Sequence, residues 1–132
     1  MTDETWEETF ERAMKLRDER KFNEALRLLE SLIVDVDKPS RLVAVNCQLG
    51  NIHSFDLGAP EKGEFYFRRA VDLKPSSELS SLGLFHSLMD QQKVSDALTE
   101  MRRFTSAHPS EEYAELRKEM AAAFSLGSDD KT

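Results

Sequence analysis

The chain has 132 residues, 33% of them charged, with only 5 glycines and 4 prolines, which suits one domain of helices with solvated outer faces. A formal net charge of −7 lacks the basic field that a phosphate backbone demands, so nucleic acid is excluded as a partner. The acidic start MTDETWEETFER lacks a signal-peptide pattern, no apolar run nears the roughly 20 residues of a membrane span, and Cys47 alone cannot form an internal disulfide. These features predict a cytoplasmic location and no membrane partner.

In chain order, a first, less regular helix is expected over 3–19. The second, over 23–36, places Ala25, Leu28, Leu29, Leu32, Ile33 and Val36 at i, i+3, i+4, i+7 spacing on one face. Pro39-Ser40 ends it and offers a capping hydroxyl to a third helix over 40–56. Gly58-Ala59-Pro60 is a turn, with the proline suited to a first helical turn. The fourth helix, over 61–73, aligns Gly63, Tyr66, Phe67, Ala70 and Val71. Lys74-Pro75-Ser76-Ser77 breaks the chain before a fifth helix at 77–90. The sixth, over 94–107, aligns Ala97, Leu98, Met101, Phe104 and Thr105. His108-Pro109-Ser110 is a matching break, and Glu111 and Glu112 place negative charge at the start of a seventh helix over 111–125. That helix aligns Tyr113, Leu116, Met120, Ala123 and Phe124. No strand-like alternation of useful length occurs. The expectation is an all-α chain with one domain over 1–126 and a disordered tail over 127–132.

The helix pairs repeat. Ala25 to Gly63 is 38 residues, Gly63 to Ala97 is 34, and Pro75 to Pro109 is 34. A period near 34 in helix-turn-helix units is the mark of tetratricopeptide repeats. The residues carry the same resemblance. RKFNEAL (20–26) is similar to that family's mid-unit turn, with Ala13 and Ala25 as the small residues of the two helices and Leu29 as the large apolar one. Leu49-Gly50-Asn51 resembles the first-helix motif of the second unit, completed by Gly63, Phe67, Ala70 and Pro75, with one extra residue in the turn. Ala97, Met101, Phe104 and Pro109 fit the third unit. Phe85 stands where the family has a small residue, which implies splayed helices there, and Leu82-Gly83 falls three residues short of the motif's place. The resemblance implies three repeats plus a C-terminal capping helix, seven helices in a right-handed superhelix. An irregular helical bundle on the same apolar stripes is the competing reading.

The resemblance further implies that first helices line a concave groove. By register, Glu7, Phe10, Met14 and Arg17 project into it from the first unit, Ala44, Cys47, Asn51 and Ser54 from the second, and Leu79, Leu82, His86 and Met89 from the third. Phe10, Met14, Arg17, Cys47, Asn51, Leu79, Leu82, His86 and Met89 are the expected partner-binding residues, a mostly apolar set suited to an apolar or amphipathic segment of another protein or peptide. Family members that clamp a C-terminal carboxylate use cationic and amide side chains where this chain has Phe10, Met14, Gln48, Leu79 and Gly83, so that ligand class is not expected. Arg68-Arg69 and Arg102-Arg103 recur on second helices, within reach of Glu64, Asp72 and Glu100. Phe65 lies off its helix's apolar stripe.

No catalytic constellation is present. His53 takes the place of a family aromatic and reads as a packed histidine. His53 and His86 have no clear third metal ligand, and Cys47 and His53, six residues apart on one helix, are poorly set as a thiolate–imidazole pair. Glycine-rich phosphate loops are missing. The expectation is a non-enzymatic adaptor or chaperone-like binder with no cofactor and no metal. An antidote that masks a folded toxin and a self-associating homo-oligomer are the alternatives.

Overall fold

The computed structural model describes residues 4–34 and 38–129, with 124–129 as backbone alone. Seven α-helices follow one another: α1 Trp6–Asp18, α2 Phe22–Ser31, α3 Pro39–Asn51, α4 Pro60–Leu73, α5 Glu78–Asp90, α6 Val94–Ala107 and α7 Glu111–Asp129. A π-helical turn, Ile52–Asp56, extends α3. No strand occurs among the described residues. The helices pair antiparallel as α1–α2, α3–α4 and α5–α6, and consecutive pairs stack, as the repeat reading expects.

Local chemistry explains most boundaries. Thr5 caps α1, its hydroxyl accepting from Glu8 N at 3.1 Å, and Glu7 and Glu8 complement the positive helix end. Ser77 and Ser110 cap α5 and α7 by accepting from Ser80 N and Tyr113 N at 3.2 and 3.0 Å. Pro39 and Pro60 both occupy first turns, where the missing N–H costs nothing. Ser40 therefore lies inside α3, and the expected cap there is corrected. The second helix also ends sooner than predicted. Leu32 and Ile33 bond back to Leu29 and Glu30 in tight i→i−3 fashion, closing the helix at Ser31. Val36 lies outside the described residues, as do the side chain of Phe124 and the tail beyond Asp129. The helical backbone of α7 runs four residues past its predicted end at 125.

The turns inside the three units share one device. Arg20, Gly58 and Gln92 adopt φ of 62°, 64° and 63°, each five residues before the small residue of the following helix: Ala25, Gly63 and Ala97. Lys21 N and Lys93 N then reach back to Leu16 O and Leu88 O, closing α1 and α5 in the same way. On the other side the spacings differ. Ala13 precedes Arg20 by seven residues and Phe85 precedes Gln92 by seven, but Gly50 precedes Gly58 by eight. The extra residue of the second unit therefore sits in the helix and not in the turn. The Ile52–Asp56 π-turn absorbs it, with Leu57 N bonding Ile52 O at 2.9 Å.

Two apolar clusters hold the stack. Ala13, Ala25, Leu29, Val45, Leu49 and Ile52 join the first two units. Phe67, Leu84, Phe85, Leu88, Ala97, Met101, Phe104 and Tyr113 join the second, third and α7. Phe85, at the family's small position, is buried and meets the Tyr113 ring edge-on at 5.6 Å. Buried hydroxyls stitch these layers together. Tyr113 Oη and Ser81 Oγ lie 2.7 Å apart, and Ser81 donates to Glu100 at 2.6 Å while Arg103 pairs with the same carboxylate.

Candidate functional site

Three glycines set the helix approaches around the groove. A Cβ on Gly63 would lie 2.5 Å from Ser54 Cβ, so α3 and α4 touch closely. A Cβ on Gly50 would meet the Phe67 ring at 2.8 Å, and one on Gly83 would come within 2.5 Å of three of its carbons. The ring of Phe67, 1% exposed, thus passes from α4 between two bare backbones, one on α3 and one on α5. Gly83 is short of the family motif by sequence position, but in space it is the counterpart of Gly50 across that ring. Two further contacts tie α3 to α5 at the same offset: Cys47 Sγ to Ser80 Oγ at 3.0 Å, and Ser54 Oγ to Ser87 Oγ at 2.6 Å.

The Phe67 ring forms the floor of a cavity of about 280 Å³ lined by Cys47, Gln48, Asn51, Phe55, Leu79, Leu82, Gly83 and His86. Five of the nine expected binding residues meet here: Cys47, Asn51, Leu79, Leu82 and His86. Leu79 is 77% exposed at the rim. His86 is exposed beside it, with Phe85 edge-on to its ring at 5.3 Å. Asn51, half-buried in the wall, has no side-chain hydrogen-bond partner among the described residues. Burial raises the Cys47 thiol pKa against the lowering effect of the Ser80 contact, so sulfur here is a lining atom, not a thiolate.

The other four expected residues are placed differently. Phe10 stacks on Trp6 at 5.1 Å, and both Phe10 and Met14 are half-buried against the first apolar cluster. Met89 packs against the second cluster. Arg17 is held in place: its Nε donates to Asp56 at 2.6 Å and its Nη1 to Gln48 Oε1 at 3.1 Å. Of the wider groove set, Glu7 pairs with Arg41 at 2.6 Å and Ser54 is buried between helices.

Phe55 and Phe67 are lining residues that were not expected, while Gln48 and Gly83 stand at the family's carboxylate-clamp positions without being among the expected binding residues. Phe55 is 44% exposed and 6.0 Å from Phe67, centroid to centroid. It reaches the cavity because the π-turn widens the helix end by one residue. The one-residue surplus in the second unit was the available signal, but spacing alone assigned it to the loop.

Outside the groove, the arginine doublets split. Arg68 pairs with Glu64 at 2.7 Å and Arg103 with Glu100 at 2.6 Å, while the Arg69 guanidinium sits 5.6 Å from the centroid of Phe65, itself 54% exposed. His53 stacks on Tyr66 at 5.4 Å with planes 5° apart, and burial, reinforced by Lys62, lowers its pKa. No group of three or more His, Cys, Asp or Glu side chains converges for a metal among the described residues. No described helix is long and apolar enough to cross a membrane.

Stacked antiparallel pairs with small residues at their crossings define a tetratricopeptide-like helical repeat. The chain is similar in fold to a solved structure of Pseudomonas aeruginosa PilF, at a TM-score of 0.69 and 16% sequence identity. The match covers 95% of this chain and 59% of that one, so the chain spans little more than half of the PilF chain's length. No protein-family model and no curated protein matches the chain.

Proposed function

We propose that the chain is a non-catalytic interaction module of the adaptor or chaperone type, binding a segment of another protein through the cavity floored by Phe67. The carrying observation is that exposed Leu79 and Phe55 flank an apolar floor with half-buried Asn51 and exposed His86 beside it. The volume fits one large apolar side chain. Such an anchor supplies affinity by leaving water, about 1.5–3 kcal/mol for a Leu- or Phe-sized group. The Asn51 amide and the N–H groups of Gln48, whose oxygen is taken by Arg17, are suited to the peptide backbone beside the anchor. This arrangement favours an apolar or amphipathic segment over a folded, basic toxin surface, because the cavity carries no carboxylate.

The test is capture of a binding partner from native lysate by the full chain and by Leu79→Glu. Leu79 is exposed, so the variant keeps its helix content by circular dichroism. Loss of the captured protein is the expected result, and undiminished capture refutes the groove. Phe10→Glu is a poorer probe, since Phe10 helps close the first apolar cluster and its loss would unfold as well as unbind.

A further inference from the structure

A second apolar trough, of about 640 Å³, opens between α6 and α7 and shares no residue with the groove. Val94, Leu98, Met101 and Met120 line it, and Arg102 and Arg117 stand at its rim. The repeat geometry says what shape belongs there. One unit earlier, the position equivalent to Leu98 is Glu64, and the turn leading into the next second helix covers it: Gln91 Nε2 and Lys93 Nζ donate to Glu64 at 2.9 and 3.1 Å. α7 is a first helix, but it does not turn back. α1 and α5 stop after 13 residues and α3 turns back after its π-helical extension, whereas α7 runs for 19 with no turn among the described residues. Among the described side chains, none covers the α6–α7 trough in the way that Gln91 and Lys93 cover Glu64 one unit earlier.

The charge at the rim narrows the occupant. Arg68 and Arg103 each have a carboxylate partner, but Arg102 and Arg117 have none among the described residues; the only bond of Arg117 is a long one, 3.4 Å, to Thr105. On a chain with net charge −7, these two guanidinium groups give the trough a basic rim. We infer that this trough takes an amphipathic helix of a partner protein, one whose apolar stripe is flanked by carboxylates, lying along α6 and α7. Leu98 and Met120 receive the stripe, and Arg102 and Arg117 pair with the flanking carboxylates.

The probes are two synthetic amphipathic helices with the same leucine stripe, one flanked by glutamates and one by lysines, titrated into the full chain by fluorescence anisotropy. The glutamate-flanked helix is expected to bind at least about tenfold tighter than the lysine-flanked one. Arg102→Glu, a change at an exposed position that leaves folding intact, is expected to abolish or reverse that preference. Leu98→Glu removes binding of both helices, and Leu79→Glu in the groove leaves it unchanged. Equal binding of the two helices, binding of neither, or loss of binding in Leu79→Glu overturns the assignment. So does a dimer in sedimentation that Leu98→Glu dissociates, since the trough would then belong to a second copy of the chain.

Discussion

Replacing Gly83 with alanine sets two effects of opposite sign against each other. Gly83 is in the interior of α5, and helix propensity alone favours alanine there by about 1 kcal/mol. The Phe67 ring opposes it. The new methyl would overlap two ring carbons at 2.5 Å and a third more closely, and Gly50 on the other side of the 1%-exposed ring blocks a direct retreat from it. Overpacking of this kind costs typically about 1–3 kcal/mol, and a ring caught between two backbones belongs at the upper end. The net expectation is a loss of about 1–2 kcal/mol, read by urea denaturation as a lower midpoint at constant m-value. The double variant Gly83→Ala/Phe67→Leu supplies the control. With the ring gone the methyl has room, and Gly83→Ala should become neutral or stabilising, a coupling of about 2 kcal/mol in a double-mutant cycle. A stabilised Gly83→Ala single variant, or an additive cycle, would refute the account of the groove floor.

Three further outcomes are expected. Burial and the neighbouring Glu100 carboxylate push the Tyr113 phenol up to about 12 against the lowering effect of Ser81, so the neutral form stabilises the fold below pH 10 and that contribution is lost between pH 10 and 12. Tyr113→Phe should weaken the fold by about 1 kcal/mol at neutral pH and flatten its loss of stability in that alkaline window, measured by thermal melts at each pH. Burial would raise the Glu64 carboxyl, but hydrogen bonds from Arg68, Gln91 and Lys93 outweigh it and hold it below its usual 4.5. Its contribution is therefore present above pH 4.5 and lost as pH falls through the lowered value, and Glu64→Gln should reduce the acid sensitivity of the melting temperature. Deleting Phe55 removes the surplus residue, which should convert the π-turn to regular helix, break the Arg17–Asp56 pair, and keep helix content while weakening partner capture.

The fold was legible because its signals are local and repeated. Three apolar stripes at helical spacing, serine caps and a period near 34 each require one kind of structure, and together they require the same one. The groove was legible only in part. Cys47, Asn51, Leu79, Leu82 and His86 meet because register along a helix is fixed once its ends are known. Phe10 and Met14 have the same register but sit on the first helix of the stack, where side chains that point toward the groove also close an apolar cluster, and Met89, one turn beyond His86 on α5, packs against the second cluster. A sequence pattern reports direction around the helix axis. It does not report what already stands in that direction, which is why Arg17 reads as a free handle in the sequence and is bound to Asp56 and Gln48 in the structure.

Phe55 shows a different limit. Period counting detects a surplus residue but cannot say whether it lies in the helix or in the loop, and loops are the usual location because they absorb insertions at little cost. Here the loop is fixed: the left-handed residue stands five places before the small residue of the second helix in all three units. A turn so constrained cannot lengthen, so the surplus passes back into α3 as a wider helical turn. That widening brings Phe55 to the cavity wall and Asp56 to Arg17 at 2.6 Å. The irregularity that blurs the repeat in the sequence is therefore the feature that shapes one side of the groove, and it does so because the turn, not the helix, is the rigid part of the unit.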